Sequence, residues 1–374
     1  MLVALLTALS LAAQPETPCH LGQRYDGPDA RARPSDIVLP IRSDQQTDAF
    51  FSADENARLD AATDRIAAYG ADWSLSVRRI DGAHWSRSPE GKVFAAASIT
   101  KSMTAAMIYQ LIEEGRLDPD QTLDHWRADL PHADLITLDD LLSHRSGYFL
   151  RPDGPLGAYA PPEASYQRLH SDGVVFCPGT SWAYSNIGYM LLGDIIAATD
   201  GNSFDASLAA RILEPLSLSR TRLAQPDHRD PELVAGHVNG EEAATEADYA
   251  GPYASGAVLS TAEDLTLWWQ ALMGGAVVSP ASLDHMTHQA WPLFGHEQMG
   301  YGRGVQIADF PVGPGPLVMH SGGVTGFVSV VAWLPRHGVF VAAMTNEQTS
   351  SAEAALWALA QALNAANPDE AARE

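Results

Sequence analysis

Apolar side chains recur with the period of an α-helix early in the chain. The repeat runs from Met103 to Ile112, and Gly115 follows it as a usual helix stop. It predicts a helix over 97–114 whose apolar face is buried. The rest of the chain can be interpreted around the start of this helix.

Similar periodicity predicts helices over 47–69 or 54–69, 137–143, 186–199, 261–273 and 351–366. Alternating apolar and polar positions predict strands over 73–80, 83–86, 305–310, 317–320, 327–334 and 339–345. Asp81-Gly82 is a strong two-residue hairpin turn between the first two strands. Strands therefore occur towards both ends of the chain, with mainly helices between them.

This order predicts an α+β fold in which strands from 45–97 and 300–366 share one antiparallel sheet flanked by helices. A mainly helical insert at about 117–273 would stand beside the sheet, with a ligand cleft between the two. Residues 14–44 are rich in Pro, Arg and Asp, so we expect an irregular lead-in there. The folded domain would then cover 45–366.

The composition is that of a globular protein with a substantial core. The 374 residues are 46% hydrophobic and 18% charged, unlike a disordered chain. The net charge of −23 argues against nucleic acid or an anionic membrane surface as a partner. Solubility alone can explain the acidic excess, and nothing in the sequence indicates the oligomeric state.

The N-terminal residues 1–13 resemble a secretory signal peptide. They form an apolar run that is too short to span a bilayer and ends in small residues, although no Lys or Arg precedes it. The alternative is an ordinary apolar start to the chain. We expect export to a periplasmic or extracellular compartment, and no stable membrane insertion once the signal is removed.

The chain has two cysteines, Cys19 and Cys177, which could pair in an oxidising compartment. Cys19 lies near the proposed cleavage region in a proline-rich stretch, so we expect no well-defined disulfide. Neither cysteine has metal-ligand neighbours in the sequence, and we predict no metal site.

Ser98 and Lys101 are three residues apart at the start of the predicted helix, so their side chains would share one face. A serine hydroxyl needs a neighbour that takes its proton, and a lysine can do so when it is held neutral. Only two of the 23 basic residues are lysines, Lys92 and Lys101, which leaves 21 arginines. Because arginine does not deprotonate in proteins, the lysine at this position suggests that an amine is required there.

A second group of polar residues, Tyr184-Ser185-Asn186, lies just before a predicted helix. The phenol can relay a proton if nearby cations lower its pKa, and the asparagine can donate to a substrate carbonyl while accepting from Lys101. Taken alone, Asn186 could equally be a helix N-cap and Tyr184 a packed aromatic.

A third group, His320-Ser321-Gly322-Gly323, directly follows the predicted strand residues 317–319. Glycines there would let a ligand approach the strand edge, where backbone donors can bind an extended substrate. The histidine and serine can contact a carboxylate or the leaving group. A simple turn after the strand is the alternative for this group taken alone.

Together, the Ser-x-x-Lys, Tyr-x-Asn and His-x-Gly groups resemble the three motifs of the serine β-lactamase and penicillin-binding-protein superfamily. The likeness is greatest to its branch of class C β-lactamases, D,D-carboxypeptidases, D-aminopeptidases and esterases. Further family-like segments lie at 141–147, 255–265 and 301–304, and the resemblance covers about 45–365. It implies a β-lactamase/transpeptidase-like fold. We interpret His144, in the first of these segments, as a residue that fixes a loop.

The resemblance also implies a mechanism. Ser98 would attack the substrate carbonyl while Lys101 and Tyr184 share the proton transfers, and water would release the acyl group. Backbone N–H groups of Ser98 and Gly323 would form the oxyanion hole. The remaining motif residues would hold the substrate: Asn186, His320, Ser321 and Gly322. No metal or organic cofactor is required.

His320 departs from the lysine that many family members carry. A histidine is charged only below about 6.5 unless its surroundings raise its pKa, so it supports a bound carboxylate less well at neutral pH. We therefore expect a serine hydrolase that acts through an acyl-enzyme on a D-amino-acid peptide, an ester or, less readily, a β-lactam. The alternatives are a penicillin-recognising sensor that is acylated without efficient turnover and a scaffold with a degenerate site.

Overall fold

The computed structural model describes residues 19–20, 23–40, 49–67, 71–149, 162–310 and 313–364. The predicted signal segment 1–13 lies outside these residues. The helices are α1 (Ala53–Ala67), α2 (Thr100–Glu113), α3 (Asp124–Arg127), α4 (Leu138–Leu142), α5 (Pro162–Asp172), α6 (Asn186–Asp200), α7 (Phe204–Leu208), α8 (Glu246–Ala250), α9 (Ala262–Met273), α10 (Pro280–His288) and α11 (Ala352–Asn364). Short 3-10 turns cover Ala97–Ile99, Tyr253–Ser255 and Leu293–Gly295, and a π-helical turn covers Ala209–Leu213.

The strands are β1 (Arg31–Ala32), β2 (Trp73–Arg79), β3 (His84–Arg87), β4 (Phe94–Ala95), β5 (Arg222–Leu223), β6 (His237–Val238), β7 (Glu241–Glu242), β8 (Val258–Ser260), β9 (Gln289–Pro292), β10 (Met299–Tyr301), β11 (Gln306–Phe310), β12 (Gly315–Val324), β13 (Phe327–Leu334) and β14 (Val339–Thr345). Nine strands of the described chain form one sheet in the order β1-β9-β10-β11-β12-β13-β14-β2-β3. All neighbouring pairs in it are antiparallel. Strand β14 pairs with β2, so strands from 45–97 and 300–366 share this sheet, as predicted. Strands β1 and β9 also belong to it and lie outside the predicted bounds, because such short strands have too few residues to show a period.

Strands β13 and β14 are apolar along most of their length because helices cover both faces of the sheet. On β13, Val330 packs into a cluster with Leu59 of α1 and Leu359 of α11. The next residue, Val331, points to the opposite face and joins a larger cluster that includes Trp269 of α9. Successive strand residues face opposite sides, so a doubly covered strand carries a continuous apolar run. The predicted α+β fold is confirmed.

The part of the chain between β4 and β9 is mainly helical and includes short strands that the sequence does not predict. Strands β4, β8 and β5 form a separate three-stranded sheet in which Phe94 pairs with Ser260 and Ala95 with Leu259. This pairing holds the residues just before Ser98 against a segment 164 to 166 residues further along the chain. It therefore helps to position the start of α2.

The predicted strand over 317–320 is too short. Strand β12 continues to Val324, and Gly322 and Gly323 pair with Ser329 and Val328 of β13. The third polar group therefore lies within a strand and not in a turn after it. Glycines usually indicate that a strand ends, but here each is paired along the β13 ladder.

The expectation that the cysteines would not pair is wrong, because Cys19 and Cys177 form a disulfide with their Cα atoms 5.4 Å apart. The lead-in is also ordered beside it, since the backbone N–H groups of Asp26 and Gly27 donate to the Thr180 carbonyl at 2.9 and 3.0 Å. Local composition around Cys19 contains no information about a partner 158 residues away. Within the described ranges, no helix is long and apolar enough to span a membrane.

Candidate active site

Ser98 lies in a tight 3-10 turn directly before α2. The preceding residue, Ala97, has a φ of 48°, in the left-handed region that residues with a side chain seldom adopt. Thr100 fixes the turn from both sides, because its hydroxyl donates to the Ala97 carbonyl at 2.7 Å and accepts from the Val258 N–H at 3.1 Å. The turn presents Ser98 at the helix start while its neighbours are buried.

Lys101 is fully buried, and its Nζ lies 3.0 Å from Ser98 Oγ and 2.6 Å from the Ser255 carbonyl oxygen. Burial holds the pKa of Lys101 well below its ordinary value of 10.5, because the charged form loses its hydration. A neutral amine has two N–H groups and one lone pair. With an N–H directed to the Ser255 carbonyl, the lone pair is available to the Ser98 hydroxyl.

Aromatic rings enclose the amine and keep water away from it. Lys101 Nζ lies 4.9 Å from the centre of the Tyr184 ring and 5.7 Å from that of Tyr189. The structure thus brings the first and second predicted groups together around one nitrogen. Tyr189, one turn into α6, was not among the residues predicted to form the site.

The segment that carries Tyr184 leads directly into α6. Ser185 is the N-cap of this helix, and its side chain accepts from the Gly188 N–H. Asn186 is the first helical residue, so the alternative interpretation of Asn186 as an N-cap is wrong. The cap is supplied one residue earlier because Ser185 has the extended backbone conformation that an N-cap requires.

His144 holds the Tyr184 segment on both sides. Its backbone carbonyl accepts from the Ala183 N–H at 3.0 Å, and its Nδ1 accepts from the Ser185 N–H at 3.1 Å. The imidazole is fully buried, with ring centres 4.3 Å from both Tyr184 and Tyr301. The interpretation of His144 as a loop-fixing residue is confirmed.

His144 itself is neutral. Burial is the main cause that holds its pKa well below the ordinary 6.5, because a charged imidazole would lose its hydration and would be repelled by any proton on Lys101 or His320. Its backbone φ of 63° lies in the left-handed region, which aims the imidazole at the segment before α6. Sequence alone predicted a loop role for this residue but not its contact with the Tyr184 segment.

His320 is fully buried, and both of its ring nitrogens bond to protein groups. Nδ1 lies 2.7 Å from the Ser321 carbonyl oxygen, and Nε2 lies 3.2 Å from the Tyr301 hydroxyl. Because a carbonyl oxygen only accepts, Nδ1 carries the proton and Nε2 accepts from Tyr301. The structure therefore places His320 beneath the site surface, in contact with Tyr301.

The expectation that His320 is charged below a pH of about 6.5 is also wrong. Burial lowers its pKa to about 3, and the repulsion that a protonated Lys101 would exert adds to this effect. The sequence could not show this shift, because it depends on how deeply the fold buries the ring. Tyr301 lies in a family-like segment, but only the structure shows its contact with His320.

The two glycines after Ser321 have different surroundings. A Cβ added to Gly322 would lie 2.4 Å from the Ala96 carbonyl oxygen and 2.6 Å from Ser329 Oγ, so only glycine fits between β12 and the nucleophile turn. A Cβ on Gly323 would meet no atom within 4 Å, and this residue is exposed. Ser321 is partly exposed and donates its N–H and hydroxyl to Gln306 Oε1. The oxyanion role of Ser98 and Gly323 stays a prediction.

In the described part of the chain, no three His, Cys, Asp or Glu side chains lie close enough together to hold a metal ion. The groups that the structure does gather near Ser98 are the Lys101 amine at 3.0 Å and, beside that amine, the Tyr184 ring. This set can move protons to and from a serine nucleophile.

Comparison with known proteins identifies the family. The sequence model named Beta-lactamase matches residues 62–366. The chain belongs to this family. Both the predicted resemblance and the predicted fold are therefore confirmed.

Among β-lactamase-family relatives, penicillin-binding protein 4* of Bacillus subtilis (strain 168) is 27% identical over 281 residues, which are 68% of this chain and 61% of that protein. The D-alanyl-D-alanine-carboxypeptidase/endopeptidase AmpH of Escherichia coli (strain K12) is 25% identical over 271 residues, 66% of this chain and 69% of that one. The structure of a D-amino acid amidase from Ochrobactrum anthropi SV3, complexed with L-phenylalanine amide, aligns with a TM-score of 0.72 at 22% identity and covers 84% of this chain and 99% of that one.

The match to some relatives is partial. Two penicillin-binding-protein relatives from Bacillus subtilis (strain 168) are matched over 53% and 61% of their own length. Family membership and fold are therefore established for this chain, whereas its reaction and substrate are matters of proposal.

Proposed function

We propose that this β-lactamase-family protein is a serine hydrolase that cleaves amide and ester bonds through an acyl-enzyme on Ser98. The observation that carries the proposal is the 3.0 Å contact between Ser98 Oγ and the Nζ of a fully buried lysine, Lys101. A buried neutral amine next to a serine hydroxyl is an arrangement that activates a nucleophile.

The proton transfers follow from the contacts of Lys101. Its lone pair takes the proton of Ser98 as Oγ bonds to the substrate carbonyl carbon, and the resulting ammonium is stabilised by the Ser255 carbonyl at 2.6 Å. The proton then passes by way of the Tyr184 phenol to the departing nitrogen or oxygen, which breaks the scissile bond. Backbone N–H groups of Ser98 and Gly323 would bind the developing oxyanion. Water completes the cycle by releasing the acyl group.

The proposed substrate class is an amide or ester without a free carboxylate, including amides of D-amino acids. The neutral state of His320 supports this choice, because it supplies no positive charge for a free carboxylate at neutral pH. The names of similar proteins point the same way, since they include a D-amino acid amidase and a D-stereospecific amidohydrolase from Streptomyces sp.. Asn186 is proposed to contact the substrate amide, as its place beside Tyr184 allows.

The experiment is to incubate the purified protein with D- and L-amino acid amides, p-nitrophenyl esters and a fluorescent penicillin. We expect amide and ester turnover that is lost in Ser98→Ala, and a trapped acyl group located by mass spectrometry on the peptide that contains Ser98. A stable penicillin label without turnover of any substrate would support a sensor instead. An active Ser98→Ala variant would rule out the mechanism.

We further propose that the protein is exported. The Cys19–Cys177 disulfide supports this, since disulfides persist mainly in oxidising compartments. The test is to fractionate cells that express the full chain or a chain lacking 1–13. Retention of both chains in the cytoplasm with free thiols would contradict export.

A further inference from the structure

Phe294 is an aromatic residue whose conformation and exposure are both unfavourable. It lies in the 3-10 turn after β9, with φ 50° and ψ 30°, and its relative exposure is 70%. Glycine or asparagine occupies such left-handed positions at much lower cost. Residues held in this way are concentrated at functional sites.

The turn does not need the Phe294 ring for its own packing. Leu293, the preceding residue, is buried and anchors the turn, while Gly295 after it takes a left-handed φ of 76°. The Phe294 side chain extends away from this anchor and leaves most of its apolar surface in water. Burying that surface against a ligand would be favourable.

The Phe294 ring lies beside the proposed catalytic phenol. Its centre is 5.7 Å from that of Tyr184 and 6.3 Å from that of Trp182. The Tyr184 ring in turn lies 4.9 Å from the Lys101 amine. Phe294 is therefore one ring removed from the groups that act on the substrate carbonyl.

We propose that Phe294 and Trp182 form a subsite that binds an aromatic ring of the substrate. This inference rests on the proposed function of Ser98 and adds the substrate class, an amide or ester that carries an aryl group next to the scissile bond. The aryl group stacks on the exposed Phe294 ring, with Trp182 at its edge, in the offset or edge-to-face geometry that aromatic pairs favour.

The test compares the Phe294→Ala variant with the unchanged protein on matched amides. The first pair, D-phenylalanine amide and D-alanine amide, differs by an aryl group on the acyl side of the scissile bond. The second pair, an anilide and the matching N-methyl amide, differs by an aryl group on the leaving side. In the pair whose aryl group occupies the subsite, we expect KM for the aryl substrate to rise about tenfold. Its kcat and both kinetic constants of the non-aryl substrate should be almost unchanged. Phe294→Tyr should restore the aryl preference.

Phe50→Ala is the matched control, because Phe50 is 80% exposed and precedes α1 on the sheet face opposite α2. Phe50→Ala should leave KM unchanged for both substrate pairs. Equal KM ratios for Phe294→Ala and the unchanged protein in both pairs would overturn the subsite.

A binding measurement separates this proposal from the proposed function. Calorimetric titration of the Ser98→Ala protein, with and without Phe294→Ala, uses D-phenylalanine anilide, which carries an aryl group on both sides of the scissile bond, and requires no turnover. About tenfold weaker binding in the double variant supports the subsite even if hydrolysis is absent. Equal binding in the two proteins rejects the subsite while leaving the hydrolase proposal intact.

Discussion

Lys101 is the residue on which the chemistry depends, and its burial gives it a distinct pH signature. The neutral amine is the active form, so kcat/KM should rise with pH as Lys101 loses its proton. Because burial holds the Lys101 pKa well below 10.5, the rise should level off at a pH below that value. Rate profiles with a neutral ester from pH 5 to 10 measure this.

Substitution of Lys101 gives a direct check on its role as a base. Lys101→Arg keeps N–H donors at this position but cannot accept the Ser98 proton, so kcat/KM should fall by about a hundredfold to ten-thousandfold. Lys92→Arg, at the other lysine, is exposed and should retain full activity. Substantial activity in Lys101→Arg would show that another group takes the proton.

His320 gives a second prediction at the scale of one residue. With its pKa lowered to about 3 by burial, the ring should stay neutral between pH 5 and 8, because protonation begins only near that lower value. Nitrogen-15 NMR of labelled His320 should show the Nδ1–H tautomer throughout this range. A ring that becomes doubly protonated near pH 6 would contradict the arrangement with Tyr301.

At the scale of elements, the loop that follows α4 and the segment that precedes α6 meet at His144. His144→Ala removes the acceptor of the Ser185 N–H and frees the Tyr184 segment, so we expect kcat to fall by about tenfold to a hundredfold. His144→Asn should recover part of this loss, because asparagine tolerates a positive φ and carries an acceptor oxygen.

The measurement for His144 is kcat and KM together with thermal stability for each variant. A purely structural role would lower stability to the same degree in both variants and leave kcat of the folded fraction unchanged. Recovery of kcat in His144→Asn would distinguish positioning of Tyr184 from general support of the core.

Two neighbouring glycines of β12, Gly322 and Gly323, should differ in how much an alanine substitution destabilises the fold. Gly322→Ala forces a methyl group against the Ala96 carbonyl, so it should destabilise the fold by about 1–3 kcal/mol. Gly323→Ala meets no atom within 4 Å and should change the free energy of unfolding by less than about 0.5 kcal/mol. Urea denaturation compares the two, and equal effects would contradict the packing of β12 on the nucleophile turn.

Sequence periodicity predicted the long elements and missed the short ones. Helix α2 and strands β13 and β14 lie close to their predicted positions, because each repeats its pattern over several residues. Strands β4 and β8 were missed, since two or three residues show no period. The turn at Phe294 was also missed, because nothing in its sequence indicates that an aromatic residue adopts a left-handed backbone conformation there.

At the scale of the whole molecule, Ser98, Tyr184 and His320 come from three distant parts of the chain. The order of their motifs predicted that they share a site, but their roles depend on contacts formed only in the fold. His144 and Tyr301 show this clearly, because their rings meet at 4.3 Å although they are 157 residues apart in sequence. Burial of His320 is likewise a property of the assembled sheet.

The Cys19–Cys177 disulfide gives a prediction at this scale. Cys177→Ser should lower the free energy of unfolding by about 1–3 kcal/mol, within the usual range for a native disulfide. The Asp26 and Gly27 amides, which donate to Thr180, should lose protection from hydrogen exchange before the central sheet does. Unchanged protection at these amides would mean that the lead-in is held without the covalent link.

The scarcity of lysine has a practical consequence for the folded protein. Of the two ε-amines, one is enclosed with the nucleophile and the other, on Lys92, faces solvent. An amine-reactive dye or surface applied to the native state should therefore attach to the ε-amine of Lys92 and not to that of Lys101. Lys92 therefore offers a single side-chain position for immobilisation, without engineered cysteines that could interfere with the native disulfide.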